Sequence, residues 1–324
     1  PTPYRVWISE IMLQQTRVEA VKPYFERFVT TLPTIADLAN VDDQLLLKLW
    51  EGLGYYNRAR NLKRAAKFVV KEYGGELPAD YQALLMLPGI GAYTAGAIAS
   101  IAFHIRRPAV DGNVLRVVSR WRASLADISA PRTKKDMQSM LAKIIPKERP
   151  GDFNQAVMEL GAVVCLPNGE PLCEKCPVAN LCRAHREGLT GEIPVKSPKK
   201  SRRVEHKTVL LLQRSSGEIA VVRRPSTGLL AGLWEFPSFY GKISEVEIEN
   251  DLKEMGLKVK DMRPAGEARH IFTHIVWEML GFAVRVEGEG PAKWRWVDQE
   301  TLFEELALPS AFRVYRDYLK KQEK

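Results

Sequence analysis

The sequence predicts a multidomain protein of α and α+β class, an all-helical part followed by an α/β-sandwich part. Three observations carry this. Apolar residues recur at helical spacing up to about residue 190. Past residue 208 they come instead in short runs flanked by turn residues. Between the two lies Ile193–Arg203, a polar stretch with two prolines and dense basic charge. It reads as an exposed linker over 191–207 that could also touch phosphates.

The helical pattern falls in Val6–Val21, Leu45–Leu53, Leu62–Val70, Tyr93–Ile101, Val114–Trp121 and Met137–Ile145. Gly74-Gly75 and Pro88-Gly89 punctuate it. This part divides into a module to about residue 105 and a second over about 106–190. In the second part, Thr208–Leu212 and Glu218–Val222 flank Ser-Ser-Gly, a hairpin signature. Strands are further expected at Val276–Val286 and Trp294–Val297, and helices at Glu245–Met255 and Ala311–Lys320. At 324 residues the chain can bury two cores without disulfide staples.

A net charge of +9 favours a polyanion, nucleic acid before an anionic membrane. No run of about 18 apolar residues exists for a transmembrane helix, and no signal-peptide pattern is seen. The chain opens directly in a structured segment, Pro1–Trp7, so further native residues are expected before it. All four cysteines, Cys165, Cys173, Cys176 and Cys182, fall within 18 residues. That clustering argues for one metal or cluster site in a reducing compartment rather than a disulfide framework. Four thiolates suit either a [4Fe–4S] cluster or tetrahedral zinc. The spacing is not that of a paired zinc ribbon, which favours iron–sulfur.

The string Leu87-Pro-Gly-Ile-Gly-Ala-Tyr-Thr-Ala-Gly-Ala-Ile98 reads as a helix ending at Pro88, a tight turn through Gly89 and Gly91, and a new helix from Ala92. Unpaired N–H groups at such a helix start make a phosphate site, and glycine lets the phosphate approach. The plainer reading is a helix–turn–helix corner. Glu10 lies among apolar Ile8, Ile11 and Met12, where a carboxyl should resist ionisation and suit a general acid. Asp111 precedes Gly-Asn and a helix, where the helix dipole favours its ionised form. From pattern alone, Glu10 as a surface residue and Asp111 as an N-cap are the first readings.

Five strings together change that order: Trp7–Arg17, Gly52–Arg60, the glycine hairpin, Val110–Val114 and Phe153–Gly161. With the cysteine loop they resemble the endonuclease III superfamily of helix-hairpin-helix DNA glycosylases, and within it the MutY-type adenine glycosylases, over essentially the whole chain. The first cysteine gap, Leu166–Leu172, is seven residues where that family usually has six. The resemblance implies a [4Fe–4S] cluster on the four cysteines. It implies that Glu10 protonates adenine N7, that Asp111 faces C1′, that Tyr93 helps position Asp111, and that Asn113 holds Asp111 or the catalytic water. Tyr93 stands where bifunctional relatives carry a Schiff-base lysine, so no lyase step is expected. Gln15 and Tyr55 would flank the opposite lesion, and Gln155 would hydrogen-bond the adenine. Gly89, Gly91, Ala92 and Arg58 would meet the DNA backbone, as could Arg17 and Arg60.

The C-terminal part resembles the family's Nudix-like domain, sharing Gly228-Leu-Leu-Ala-Gly-Leu-Trp-Glu-Phe-Pro237. Lys253 stands where a metal-binding Glu of a working Nudix helix belongs, so pyrophosphatase activity is not expected. His270–Trp277 resembles the Phe-Ser-His loop, with Thr273 in place of Ser. Phe272, Thr273 and His274 would then meet 8-oxoguanine. Without the resemblance, a buried strand segment is the plainer account of this string. The implied function is removal of adenine mispaired with 8-oxoguanine or guanine from double-stranded DNA, stopping at an abasic site. The expected setting is a cytoplasmic, bacterial monomer held at the nucleoid through DNA. The alternatives are a related glycosylase for thymine mismatches or oxidised pyrimidines, a non-catalytic DNA-binding iron–sulfur protein, and a nucleotide pyrophosphatase.

Overall fold

The computed structural model describes residues 2–198 and 201–322. The chain forms two compact units, Pro1–Val41 with Arg60–Lys199, and Asp42–Ala59 with Lys200–Lys324. The helices before residue 190 are α1 (Pro3–Leu13), α2 (Val18–Thr31), α3 (Ile35–Asn40), α4 (Asp43–Leu49), α5 (Asn57–Tyr73), α6 (Tyr81–Leu85), α7 (Ala92–Phe103), α8 (Gly112–Arg122), α9 (Pro131–Ile144), α10 (Pro150–Val163) and α11 (Arg183–Arg186). Their starts are written in the sequence. Thr34 and Asp37 form a capping box, Asp80 accepts from Ala83 N at 2.8 Å, and Pro3, Pro131 and Pro150 open their helices.

Two details differ from the sequence expectation. The stretch Val6–Val21 is not one helix: α1 stops at Leu13 because Gln15 adopts a left-handed conformation, φ 57°, and α2 starts at Val18. The helix before the glycine hairpin ends at Leu85 rather than at Pro88. A residue preceding proline disfavours helical geometry, and Met86 N and Leu87 N close the last turn on Ala83 O and Leu84 O.

Helix α7 is the hub of the first unit, buried from Thr94 to Ser100. Its small residues let backbones approach. A Cβ on Gly96 would lie 2.4 Å from Pro108 O, and one on Gly151 of α10 would lie 2.8 Å from Ser100 O. On its far side, α8 packs Val114, Val117 and Val118 against Met137, Leu141 and Val157 of α9 and α10.

The second unit is built on β1 (Arg203–Gln213), β2 (Ile219–Arg223), β3 (Trp234–Glu235), β4 (Ser238–Tyr240), β5 (Lys258–Ile271), β6 (Ile275–Glu287) and β7 (Trp294–Val297), with α12 (Glu245–Glu254) and α13 (Arg313–Lys321). The strand order is β3-β2-β1-β6-β5, with β4 on β1 and β7 on β2. β1 and β6 run parallel, from Arg203↔Ile275 to Gln213↔Arg285. Period-two alternation along β1 feeds two cores. Val209 and Leu211 join Phe312, Tyr315 and Leu319 on one face, and Leu210 and Leu212 join Ile248 and Leu252 on the other. That is the expected sandwich, helices on both faces of one sheet.

Strand β1 begins at Arg203, inside the stretch expected as a linker. Strand β5 was not expected from the sequence, because this long edge strand is mostly polar and carries Pro264 at an irregularity. Residues 42–59 group with this unit through polar anchors. Lys48 Nζ donates to Phe303 O at 2.6 Å, Trp234 Nε1 donates to Gln44 Oε1 at 2.6 Å, and Glu51 Oε1 accepts from Leu308 N at 3.1 Å and Arg316 Nη1 at 2.6 Å. Among the described residues, no helix is long and apolar enough to cross a membrane.

Gly281 of β6 faces Tyr315, where a Cβ would come within 2.2 Å of the ring. Gly281→Ala is expected to destabilise the second unit by about 1–3 kcal/mol through overpacking. Urea denaturation followed by tryptophan fluorescence would read this as a lower midpoint, and an unchanged midpoint would contradict the packing.

Candidate active site

Three helices converge on one buried polar seam in the first unit. Helix α1 brings Glu10, which is only 7% exposed. Helix α7 brings Tyr93, whose hydroxyl donates to Glu10 Oε2 at 2.6 Å and lies 3.3 Å from Met158 Sδ on α10. The N-terminus of α8 brings Asp111, whose Oδ1 accepts from Val114 N at 2.7 Å as the N-cap and whose Oδ2 accepts from Asn113 Nδ2 at 3.0 Å. The N-cap reading of Asp111 and the catalytic one are therefore compatible. The cap bond fixes the carboxylate that the seam presents.

Burial is the largest effect on Glu10 and pushes its carboxyl up; nearby Asp111 adds to this, and the Tyr93 hydrogen bond opposes it. Burial also pushes Asp111 up, against hydrogen bonds from Val114 and Asn113 and the charge of Arg116. That direction corrects the sequence expectation. A helix N-terminus favours the carboxylate, but desolvation outweighs it here. Tyr93 is held well above the ordinary phenol range by burial and by its two acidic neighbours, so it acts as a neutral hydroxyl. Its bond goes to Glu10, whereas the resemblance had implied that it positions Asp111.

Two positioning residues were not singled out from sequence. Arg116, buried, donates from Nη2 to Asn113 Oδ1 at 2.9 Å and Gly161 O at 2.6 Å, and from Nε to Cys165 O at 2.7 Å. Asn154, also buried, accepts from Ala109 N at 3.0 Å and donates to Ser100 Oγ and Arg107 O, both at 2.8 Å. It ties the segment leading into Asp111 to α7. A buried Asn beside the exposed Gln155 on α10 would have been the signal. Gly161 is obligatory at this point, since a Cβ would lie 2.6 Å from Asn113 Cβ.

The glycine hairpin stands as expected at the start of α7. Gly89 has φ 79°, and a Cβ there would strike Asn61 at 2.6 Å. Gly91 opens α7 with no side-chain cap, and a Cβ there would meet only open space. The first-turn N–H groups beside exposed Ala92 therefore face outward, as a phosphate cradle requires. Arg58 corrects an expectation. It is buried, donates from Nη2 to Leu53 O at 3.2 Å and Gly54 O at 3.1 Å, and lies over the rings of Trp50 and Tyr55. Burial lowers its pKa to about 10. It holds the 53–55 loop rather than reaching for a phosphate. Exposed Arg17 stands at the N-cap of α2, and Arg60 is half-buried.

Gln15 and Tyr55, each exposed, both adopt left-handed backbone conformations, φ 57° and 49°. Non-glycine residues pay for this geometry, and such strain gathers at functional positions. In the second unit, Phe272–His274 form the tip between β5 and β6. Phe272 packs on Trp277 with ring centroids 4.9 Å apart, and Thr273 and His274 are exposed. Arg202 Nε donates to Phe272 O, and Arg203 N to His274 O, each at 3.1 Å. The segment is thus a presented loop tip and not the buried strand that pattern alone suggested. Lys253 lies exposed in the last turn of α12.

The four cysteines line one small pocket, with Arg120, Trp121 and His185. Arg120, buried, donates to Cys165 Sγ at 3.1 Å. The Cys173 and Cys182 thiols are pushed up by burial and by the other cysteines. Four cysteine sulfurs lining one pocket beside a buried guanidinium supply the donor chemistry that a thiolate-ligated cluster uses.

Residues 8–146 match the HhH-GPD superfamily of base excision DNA repair proteins, and residues 208–317 match the NUDIX domain. The fold and the carboxylate seam therefore define a helix-hairpin-helix DNA repair enzyme with an appended Nudix-type domain. The adenine DNA glycosylase of Homo sapiens is 37% identical, covering 97% of this chain and 68% of its own, and that of Rattus norvegicus is 35% identical, covering 97% and 72%. The chain belongs to the adenine DNA glycosylase family. Two solved structures resemble the helical part. A thermostable thymine-DNA glycosylase has TM-score 0.52 and 30% identity, covering 57% of this chain and 85% of its own. Endonuclease III in a non-covalent DNA complex has TM-score 0.52 and 28% identity, covering 58% and 86%.

A carboxyl whose pKa is raised on folding contributes stability below its unfolded value and loses it as pH rises through its folded value. Burying Glu10 therefore costs the fold stability once pH rises above the ordinary glutamate range. Glu10→Gln is expected to melt higher than wild type at about pH 7.5 and to lose that advantage towards about pH 4, near the ordinary glutamate range. Calorimetry at both pH values checks this, and a lower melting point at the higher value would contradict it.

Proposed function

We propose that this protein is a monofunctional DNA glycosylase that hydrolyses the N-glycosidic bond of adenine mispaired with 8-oxoguanine or guanine in duplex DNA. The observation that carries the reading is the carboxyl pair, buried Glu10 bonded to Tyr93 and half-buried Asp111 capped on α8. Adenine must leave the stack to reach them. Glu10, whose ionisation burial resists, gives a proton to adenine N7. The C1′–N9 electrons leave with the neutral base. Asp111, held by Val114 N and Asn113, then faces an oxocarbenium-like sugar, and water completes the hydrolysis. Tyr93 offers no amine for an imine, so strand cleavage by elimination does not follow. Gln155, exposed on α10, supplies an amide able to read adenine.

Gln15, Tyr55 and the Phe272–His274 tip are assigned to the opposite base. 8-Oxoguanine carries an N7–H donor that guanine lacks, and the exposed Thr273 hydroxyl can accept it. Cys165, Cys173, Cys176 and Cys182 would hold a [4Fe–4S] cluster, which supplies cross-linking of the loop over residues 165–182 and redox capacity. The chain's own contribution there is Arg116, which joins Cys165 O to Asn113. The enzyme acts as a monomer on DNA in the cytoplasm.

Duplexes holding A opposite 8-oxoguanine, A opposite G, G opposite T, or thymine glycol, each split between alkali and no alkali, test the reading. Strand breaks at adenine only after alkali are expected. Glu10→Gln and Asp111→Asn should each slow base release by roughly 10²-fold or more. Breaks without alkali, or release from G:T alone, would overturn it. Thr273→Val should reduce the preference for 8-oxoguanine over guanine by roughly 10-fold while leaving A:G turnover near wild type. The purified protein should be brown, with absorbance near roughly 400 nm; a colourless zinc protein would reject the cluster.

A further inference from the structure

The hydroxyl of Tyr93 carries one proton and has two acceptors. Glu10 Oε2 lies at 2.6 Å and Met158 Sδ at 3.3 Å. A hydroxyl can donate to one of them at a time. Which acceptor wins depends on the charge of Glu10. A carboxylate accepts roughly twice as strongly as a neutral group, so an ionised Glu10 takes the proton and the sulfur is left with a bare contact. A protonated Glu10 is a weak acceptor through a carbonyl oxygen. Where its proton sits on Oε2, that oxygen becomes the donor, and Tyr93 Oη must accept from it. The thioether is then the remaining acceptor for the Tyr93 hydrogen.

We propose that Met158 is a positioning residue that takes the Tyr93 O–H whenever Glu10 carries its proton, so that the tyrosine works as a two-position rotor loaded by the thioether. This rests on Glu10 being the general acid. When the proton passes from Glu10 to adenine N7, Glu10 becomes a carboxylate. The Tyr93 O–H then turns from sulfur to Oε2, where it stabilises the new charge. No atom is exchanged with Met158, because only the direction of one hydrogen bond changes. The loaded state is favoured before transfer and the discharged state after it, at one site. The groups acting on Glu10 are Tyr93 from α7 and Asp111 at the head of α8, while α10 brings the uncharged thioether. Arg116 and Asn113 face Asp111. An isosteric hydrocarbon in place of sulfur would therefore change the acceptor and leave the neighbouring charges as they are.

The test is Met158→Leu, a substitution that cores tolerate. Base release under single-turnover conditions is followed against pH on an A:8-oxoguanine duplex. Activity falls as pH rises through the ionisation of Glu10. Without the sulfur the neutral acid loses a weak acceptor, so this limb should move down by roughly half a pH unit. Release near neutrality should fall roughly threefold, and the acid plateau should stay at its wild-type level. In the Tyr93→Phe background the same substitution should leave the limb where it is. A packing or base-contact role for Met158 would instead lower the rate equally at every pH. That outcome, or an equal displacement in the Tyr93→Phe background, overturns the proposal.

A second measurement needs no catalysis. In the DNA-free protein labelled with ¹³C at the methionine methyls, the Met158 resonance should titrate. The titration should vanish in Glu10→Gln and in Tyr93→Phe. A Met158 methyl that ignores pH while Glu10 titrates by carboxyl NMR sinks the rotor and leaves the general acid standing. A wild-type pH profile with no Glu10 limb sinks the general acid itself.

Discussion

Everything at the candidate site depends on taking two carboxyl groups out of water in one seam. Glu10 and Asp111 are both pushed up by burial, and Asp111 further raises the cost of ionising Glu10. Such a pair is unstable unless the surroundings satisfy it. The Tyr93 hydroxyl serves Glu10, and the α8 N–H with the Asn113 amide serves Asp111. The two groups thereby sit in different hydrogen-bond settings, one bonded by a phenol and the other by a helix N–H and an amide.

The seam exists because backbones come close enough to close it. Gly96 of α7 approaches the chain at Pro108, Gly151 of α10 approaches α7 at Ser100, and Gly161 approaches Asn113. Asn154 and Arg116 fill the polar remainder of those approaches. A larger side chain at any of the three glycines would push apart α7, α8, α10 or the segment at Pro108 that leads into Asp111. Arg116 also extends the network to the backbone of Cys165, so the cysteine loop and the Asp111 carboxylate share one buried guanidinium. Order in that loop is thus order at the site.

The second unit presents a loop tip on a braced sheet. Its parallel β1–β6 pair and long β5–β6 hairpin carry the Phe272–His274 tip, anchored behind by Phe272 on Trp277, by the Arg202 guanidinium and by the Arg203 main-chain N–H. The basic stretch read as linker charge is therefore partly structural: the Arg202 guanidinium braces the tip. Arg58 makes the same point in the 42–59 segment, where an arginine that looks like a phosphate ligand in sequence holds its own loop.

The amino-acid order alone determined the helical and sandwich classes, the glycine hairpin, the N-caps and the cysteine cluster. Each is a local signal: a periodicity, a capping residue, or ligands close in sequence. It also marked Glu10 and Asp111, though only the likeness to relatives raised them above a surface residue and a cap. The break at Gln15, the polar edge strand β5, the burial of Arg58, the reversed shift of Asp111, and the roles of Asn154, Arg116 and Met158 were decided by tertiary structure. The physical reason is common to them. Burial and hydrogen-bond partners are properties of residues far apart in sequence, and desolvation, which outweighs the local helix field at Asp111, arises only when α1, α7, α8 and α10 meet.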